Sequence, residues 1–164
     1  MTQTSLEARH GALRALVGAS GPRLEGVVSR RDAARFALAA GDTGDDDSYT
    51  RAHAHPLMLS STLEWGAGLP AAELREDGTG AGREGWLPLD GLRLMGGGQD
   101  LTFHAPVPVD GAFTAEQTLE AVEHKRGSSG ELLLLTIATE FRDEHGVLLT
   151  TCRETFIARA AETA

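Results

Sequence analysis

The side chains whose types could do chemistry gather in one short segment. Asp42 opens it, Asp45, Asp46 and Asp47 follow, and Tyr49, His53 and His55 close it. Asp42 has two readings, a catalytic carboxylate or a residue that helps the turn after a helix. The three later aspartates offer the oxygen atoms that a hard cation takes. No glycine and glutamate stand at EF-hand spacing, so they read as a solvated loop. His53 and His55, with one residue between them, would suit a metal only with a second ligand cluster, and the sequence has none. They read as histidines at the start of a helix or on the surface. No metal and no cofactor is expected.

Other candidates stand further along. His104 is either a buried, hydrogen-bonded histidine or part of a pocket lining. The run Gly96-Gly97-Gly98 lacks the Lys-Ser/Thr of a P-loop and the spacing of a dinucleotide fingerprint. Without a Cβ it suits close packing, against a buried helix or across a dimer. Cys152 has no neighbouring base and reads as core. Ser60 and Ser61 stand in no nucleophile-elbow pattern. Trp65 and Trp86 read as core or interface.

These residues need elements to hold them. Residues 5–17 read as a helix, with Ser5 as cap and Glu7 in the first turn. Residues 24–28 are a short strand. Ser29 opens a second helix with Asp32 three residues on, and Ala33, Phe36, Ala37 and Ala40 keep helical spacing before Gly41 stops it. Residues 42–49 form a loop. His55-Pro56 opens a buried helix, with Pro56 as its first residue and Leu59, Thr62, Leu63 and Gly66 on one side. Residues 69–84 read as a mobile surface excursion, anchored by the apolar run from Trp86 to Leu89. After Gly96 the chain is extended. Leu101 to His104 are paired, Pro106 and Pro108 end the pairing, and Asp110-Gly111 turns the chain. Three long antiparallel strands follow, over residues 113–123, 132–141 and 147–158, joined by hairpin loops at 127–130 and 143–146. Val122 interrupts the alternation and marks a bulge. Such a sheet twists and can wrap around the apolar helix from Pro56.

Length and composition agree with one soluble α+β domain. The chain has 164 residues, 41% hydrophobic and 24% charged. No apolar run approaches the roughly 20 residues of a membrane helix. Residues 1–17 carry Glu7, Arg9, His10 and Arg14, so they lack the apolar centre of a secretory signal. The net charge of -9 argues against nucleic acid or an anionic membrane as partner. A single cysteine makes the cytoplasm the default location.

The order of motifs resembles the MaoC-like acyl dehydratases and hydratases, which have the hot-dog fold. Ala33-Ala34-Arg35-Phe36-Ala37-Leu38-Ala39-Ala40-Gly41-Asp42 is similar to their helix-to-loop segment. Leu101-Thr102-Phe103-His104-Ala105-Pro106-Val107-Pro108-Val109-Asp110-Gly111 looks like their strand and turn. Glu140-Phe141-Arg142-Asp143-Glu144-His145-Gly146 resembles the hairpin between their last strands. The resemblance spans most of residues 24–158 and is strongest to the non-catalytic, N-terminal-type half of two-domain and heterodimeric members. It implies residues 1–23 as an added helix and linker, and residues 24–160 as a single hot-dog domain with a long curved sheet around a central helix.

The resemblance also implies an activity. The family adds or removes water at acyl thioesters on coenzyme A or acyl carrier protein, using an Asp and a His in Gly-Asp-x-Asn-Pro-x-His. Asp42 falls at the family's Asp. Five residues on stands Asp47 rather than His, the Asn-Pro is missing, and Tyr49 reaches the His position only with a two-residue slip. Three functions follow as expectations. The first is a hydratase or dehydratase with Asp42 as base, helped by His53 or His55. Amides at the helix start around Pro56, Leu57 and Met58 would polarise the thioester carbonyl, and Tyr49, Gly97, Gly98 and His104 would line the acyl site. The second is a non-catalytic acyl-binding subunit paired with a catalytic hot-dog chain. The third is a hot-dog thioesterase. A homodimer or a heterodimer with another hot-dog subunit is expected, because one curved sheet leaves an apolar face and an edge.

Overall fold

The computed structural model describes residues 5–42, 52–62, 83–128 and 130–160. The excursion read at 69–84 and the loop holding Asp45 to Tyr49 fall outside these residues, apart from the start of a 3₁₀ turn at Arg83–Trp86. Ser5 caps α1 (Leu6–Arg14) by accepting the Ala8 N–H at 3.2 Å. Strand β1 (Leu24–Val27) leads into α2 (Arg30–Ala39). A two-residue strand β2 (His53–Ala54) precedes α3 (Met58–Thr62). The remaining strands are β3 (Leu92–Phe103), β4 (Val107–Pro108), β5 (Ala112–Gly127), β6 (Gly130–Asp143) and β7 (Leu148–Ala160).

One antiparallel sheet runs in the order β1-β5-β6-β7-β3, and β2 pairs with β4 beside it. The hairpin at 127–130 closes with Gly127 opposite Gly130. Alternation gives the sheet two unlike faces. On the inner face Ala115, Phe141 and Thr150 lie in one cross-strand row, and Gln117, Thr139 and Cys152 in the next. Two apolar clusters cover this face. The first joins Met58 and Leu59 of α3 and Ala33 of α2 to Phe113, Phe141, Leu149 and Cys152. The second joins Leu13 of α1 and Leu87 to Leu119, Leu133, Leu135 and Ile137. Burial of a side chain as large as Phe141, which has no exposed surface, stabilises by about 2–3 kcal/mol. The N-terminal helix is therefore part of the core, through Leu13. Cys152 is buried, as its lack of a neighbouring base suggested.

Three details differ from the sequence reading. The apolar helix begins at Met58, because Pro56 and Leu57 form a turn in which the Leu57 N–H donates to His55 Nδ1 at 3.2 Å. The bulge in β5 falls between Leu119 and Ala121, just before Val122. The strand holding Leu101 starts at Leu92 and runs through the three glycines. Gly97 is the extra residue of a bulge there, with Gly96 opposite Phe156 and Gly98 opposite Thr155. A Cβ on Gly97 would sit 3.0 Å from the Thr155 carbonyl oxygen, so the close approach the glycines allow is to β7.

Candidate active site

Helix α2 delivers Asp42, and each end of the helix is closed in its own way. At the start, Ser29 Oγ accepts the Asp32 N–H at 3.2 Å and donates to Asp32 Oδ2 at 2.7 Å. That hydroxyl, with Arg31 and Arg35 assisting against partial desolvation, holds the Asp32 carboxyl below its ordinary value. Asp110 secures the same turn from 80 residues away. Its Oδ1 accepts the Arg30 N–H at 2.9 Å, and its Oδ2 accepts Arg30 Nε at 3.0 Å. Asp110 takes a left-handed φ of 60°, which Asp tolerates better than most residues, and its N–H donates to the Val28 carbonyl at 2.7 Å.

At the other end Gly41 adopts φ 73°, its N–H donates to Leu38 O at 3.2 Å, and the Asp42 N–H donates to Ala37 O at 2.9 Å. This 5→2 and 6→1 pair is a Schellman motif, with Asp42 as the first residue beyond the left-handed glycine. The sequence foresaw both the stop at Gly41 and the position of Asp42.

The structure brings His55 to the same helix. Its ring lies 5.4 Å from the ring of Phe36, tilted by 44°. Because Nδ1 accepts the Leu57 N–H, the proton of the neutral imidazole sits on Nε2. The Met58 N–H donates to the His55 carbonyl at 2.9 Å, and the Leu57 carbonyl accepts Ser60 Oγ at 2.9 Å. The two amides first considered for the thioester oxygen are thus already engaged with His55. His53 is exposed and lies opposite Pro108 in the β2–β4 pair. Pro56 is exposed, Leu57 is half-exposed and Met58 is fully buried.

The other candidates are dispersed. His104 follows β3 on the outer face, where its Nε2 lies 3.0 Å from Thr151 Oγ1. It is exposed. Gly97 and Gly98 lie in the middle of β3, exposed at the edge of the sheet. Tyr49 is outside the described residues. Sequence reasoning gave no site role to Phe36, which the structure sets against His55, or to Phe103. Phe103 ends β3 opposite Thr150 on the inner face and stays 48% exposed, an apolar surface at the mouth of that face. The alternation of 101–103 was the only signal available for it. Among the described residues no group of three or more His, Cys, Asp or Glu side chains could hold a metal. No helix among them is long and apolar enough to cross a membrane.

A curled antiparallel sheet closed by a short helix, with an added N-terminal helix, is the hot-dog architecture, and solved structures share it. The (R)-hydratase from A. caviae involved in PHA biosynthesis is 21% identical, with a TM-score of 0.55, over 85% of this chain and 94% of its own. The MaoC-like dehydratase from Rhodospirillum rubrum is 14% identical, with a TM-score of 0.57, over 90% and 94%. The HadBC complex from Mycobacterium tuberculosis, a (3R)-hydroxyacyl-ACP dehydratase, is 15% identical, with a TM-score of 0.59, over 87% and 96%. At these identities the likeness establishes the fold. No curated protein sequence matches the chain significantly. The chain belongs to the family described as FAS1-like, dehydratase domain region, whose pattern matches residues 15–152.

Proposed function

We propose that this chain acts on acyl thioesters, carried on coenzyme A or acyl carrier protein, adding or removing water across the 2,3-position. What supports the proposal is that Asp42, which aligns in sequence with the family's catalytic Asp, directly follows the left-handed Gly41 that ends α2, and that the His55 ring lies 5.4 Å from Phe36 of the same helix. In the hydration direction the Asp42 carboxylate takes a proton from water while the water oxygen bonds to C3. The C2–C3 π electrons move toward the thioester carbonyl, giving an enolate. His55 then gives its Nε2 proton to C2, and the proton on Asp42 restores the imidazole, so one water is added in total. Dehydration runs the same steps in reverse. The family's chemistry needs no cofactor.

The second reading is a subunit that binds the acyl chain and pairs with a catalytic hot-dog chain. What favours it is Asp47 in the place of the family's histidine. Turnover of crotonyl-CoA by the purified chain separates the two. Activity that falls by about 10²-fold or more in both Asp42→Asn and His55→Gln supports the first. No activity alone, with turnover on adding a hot-dog subunit that carries Gly-Asp-x-Asn-Pro-x-His, supports the second. Release of free thiol without hydration would sink both in favour of a thioesterase.

A further inference from the structure

The inner face of the sheet is apolar at both ends and polar across its middle. Strand β6 shows the change most simply. Leu133, Leu135, Ile137 and Phe141 face inward, and Thr139 stands among them. On β7, Thr150 and Glu154 flank Cys152, which lies opposite Thr139. The band continues to both sides, with Gln117 of β5 opposite Thr139 and Gln99 of β3 opposite Glu154. It separates the cluster of Met58, Leu59 and Phe141 from that of Leu119, Leu135 and Ile137.

The band is closed at one end and open at the other. Toward β5, Gln117 is buried and its Oε1 accepts Trp86 Nε1 at 3.3 Å. Toward β3, Gln99 is exposed and Glu154 half-buried, and Gln99 Nε2 donates to Glu154 Oε1 at 3.3 Å. Between these ends Thr139 and Thr150 have no exposed surface, and among the described residues neither hydroxyl has a hydrogen-bond partner. A buried hydroxyl left unpaired is less favourable than an apolar group of the same shape, so the fold alone would be better served by valine at both positions. Two such hydroxyls on diagonal neighbours of adjacent strands call for a partner from outside the fold.

We propose that this band receives a hydroxyl carried on the acyl chain, so that the protein selects hydroxylated acyl thioesters over plain fatty ones. Glu154 is also a diagonal neighbour of Thr139, at roughly 7–8 Å along the sheet. A hydroxyl set between them donates to the Glu154 carboxylate, which can only accept, and accepts from Thr139. A methylene in the same place would leave Thr139 unpaired and lie against a carboxylate, and polar groups left unpaired in this way are what give a site strong discrimination. The register also fixes the depth. Thr150 shares its row with Phe103 at the mouth, and Glu154 lies about 13 Å further along the face, so the chain that reaches it is of medium length. This inference rests on the reading that the protein binds acyl thioesters, and it holds for a catalytic and for an acyl-binding chain alike.

Calorimetric titration of the full chain with saturated acyl-CoA thioesters, which cannot be hydrated, tests it. Each medium-length chain is used in two forms, plain and with a hydroxyl on its last carbon. At the length that reaches the band, the hydroxylated form should bind at least about tenfold more tightly. Thr139→Val keeps the shape and removes the unpaired hydroxyl. It should melt at a higher temperature than the natural chain and bind the two forms alike, a pairing of effects that a purely structural threonine would not produce. Glu154→Gln should reduce the preference, and it supplies the same test if Thr139→Val does not fold. Equal binding of plain and hydroxylated chains at every length, or a preference that survives both substitutions, would overturn the inference and leave the acyl-thioester reading standing. Failure of every thioester to bind would overturn that reading, and this inference with it.

Discussion

The two ends of α2 use different chemistry to solve the same problem. The first turn is held by side chains: Ser29 and Asp32 cap each other, and Arg30 and Asp110 join the helix to a turn 80 residues away. The last turn is closed by main-chain bonds from Gly41 and Asp42. Side-chain closure ties the helix to the sheet but commits the groups that make it. Main-chain closure uses the amides of Gly41 and Asp42, bonded to the carbonyls of Leu38 and Ala37. For the role proposed for Asp42, an anchored start and a backbone-closed finish would give the carboxylate a rigid support.

Substitutions at the two ends should therefore separate activity from stability. The largest effect belongs to Asp42→Asn. The amide keeps the main-chain bond to Ala37 but cannot accept a proton from water, so hydration should fall by about 10²–10⁴-fold with the fold retained by circular dichroism. A loss of activity that tracks a loss of folded protein would mean that Asp42 matters as a turn residue. Next comes Gly41→Ala. Among the described residues nothing stands within 4 Å of the added Cβ, so the effect expected is one of backbone conformation at φ 73°. It should destabilise by about 1–2 kcal/mol, and Gly41→Asn should recover part of this because Asn enters the left-handed region more readily. Equal destabilisation by Ala and Asn would argue against the left-handed turn.

How much of this could be read from the sequence depended on how local the cause was. The Ser29 cap and the Gly41 stop are set by residues within one turn of each other, and both were legible. So were the hairpins at Gly127–Gly130 and Asp143–Gly146. The full length of β3 was hidden because three glycines have low strand propensity, and only tertiary pairing with β7 makes them a strand. The start of α3 was misplaced by two residues: Pro56 and Leu57 form a turn, closed by the Met58 N–H on the His55 carbonyl, with the Leu57 N–H on His55 Nδ1. The place of Asp42, just past the helix stop, was legible through Gly41. The contact of His55 with Phe36 and the clamp of Arg30 on Asp110 were not, since each joins segments far apart in the chain with no pattern linking them.

Ser29→Ala bears on the side-chain end of the comparison. Loss of the cap should destabilise by about 1 kcal/mol, measured by urea unfolding, with the Asp42 reaction unchanged in kcat. If Ser29→Ala instead lowered kcat while leaving stability alone, the start of the helix would be acting on the site rather than anchoring it.

The smallest effect is one of pH, and it isolates the carboxylate in that cap. Asp32 has its folded pKa lowered, first by the Ser29 hydroxyl, so its contribution is complete above the unfolded carboxylate value and is lost as pH falls through the folded value. Ser29→Ala removes the main cause of that shift. The stability difference between the natural chain and Ser29→Ala should therefore be greatest at neutral pH and shrink as pH falls below about 4, leaving the part due to the capped Asp32 N–H, which does not titrate. In an Asp32→Asn background the difference should be flat across the same range. A difference that grew on acidification, or that kept its slope in that background, would place the pH dependence elsewhere and remove the charged cap from the list of what distinguishes the two ends.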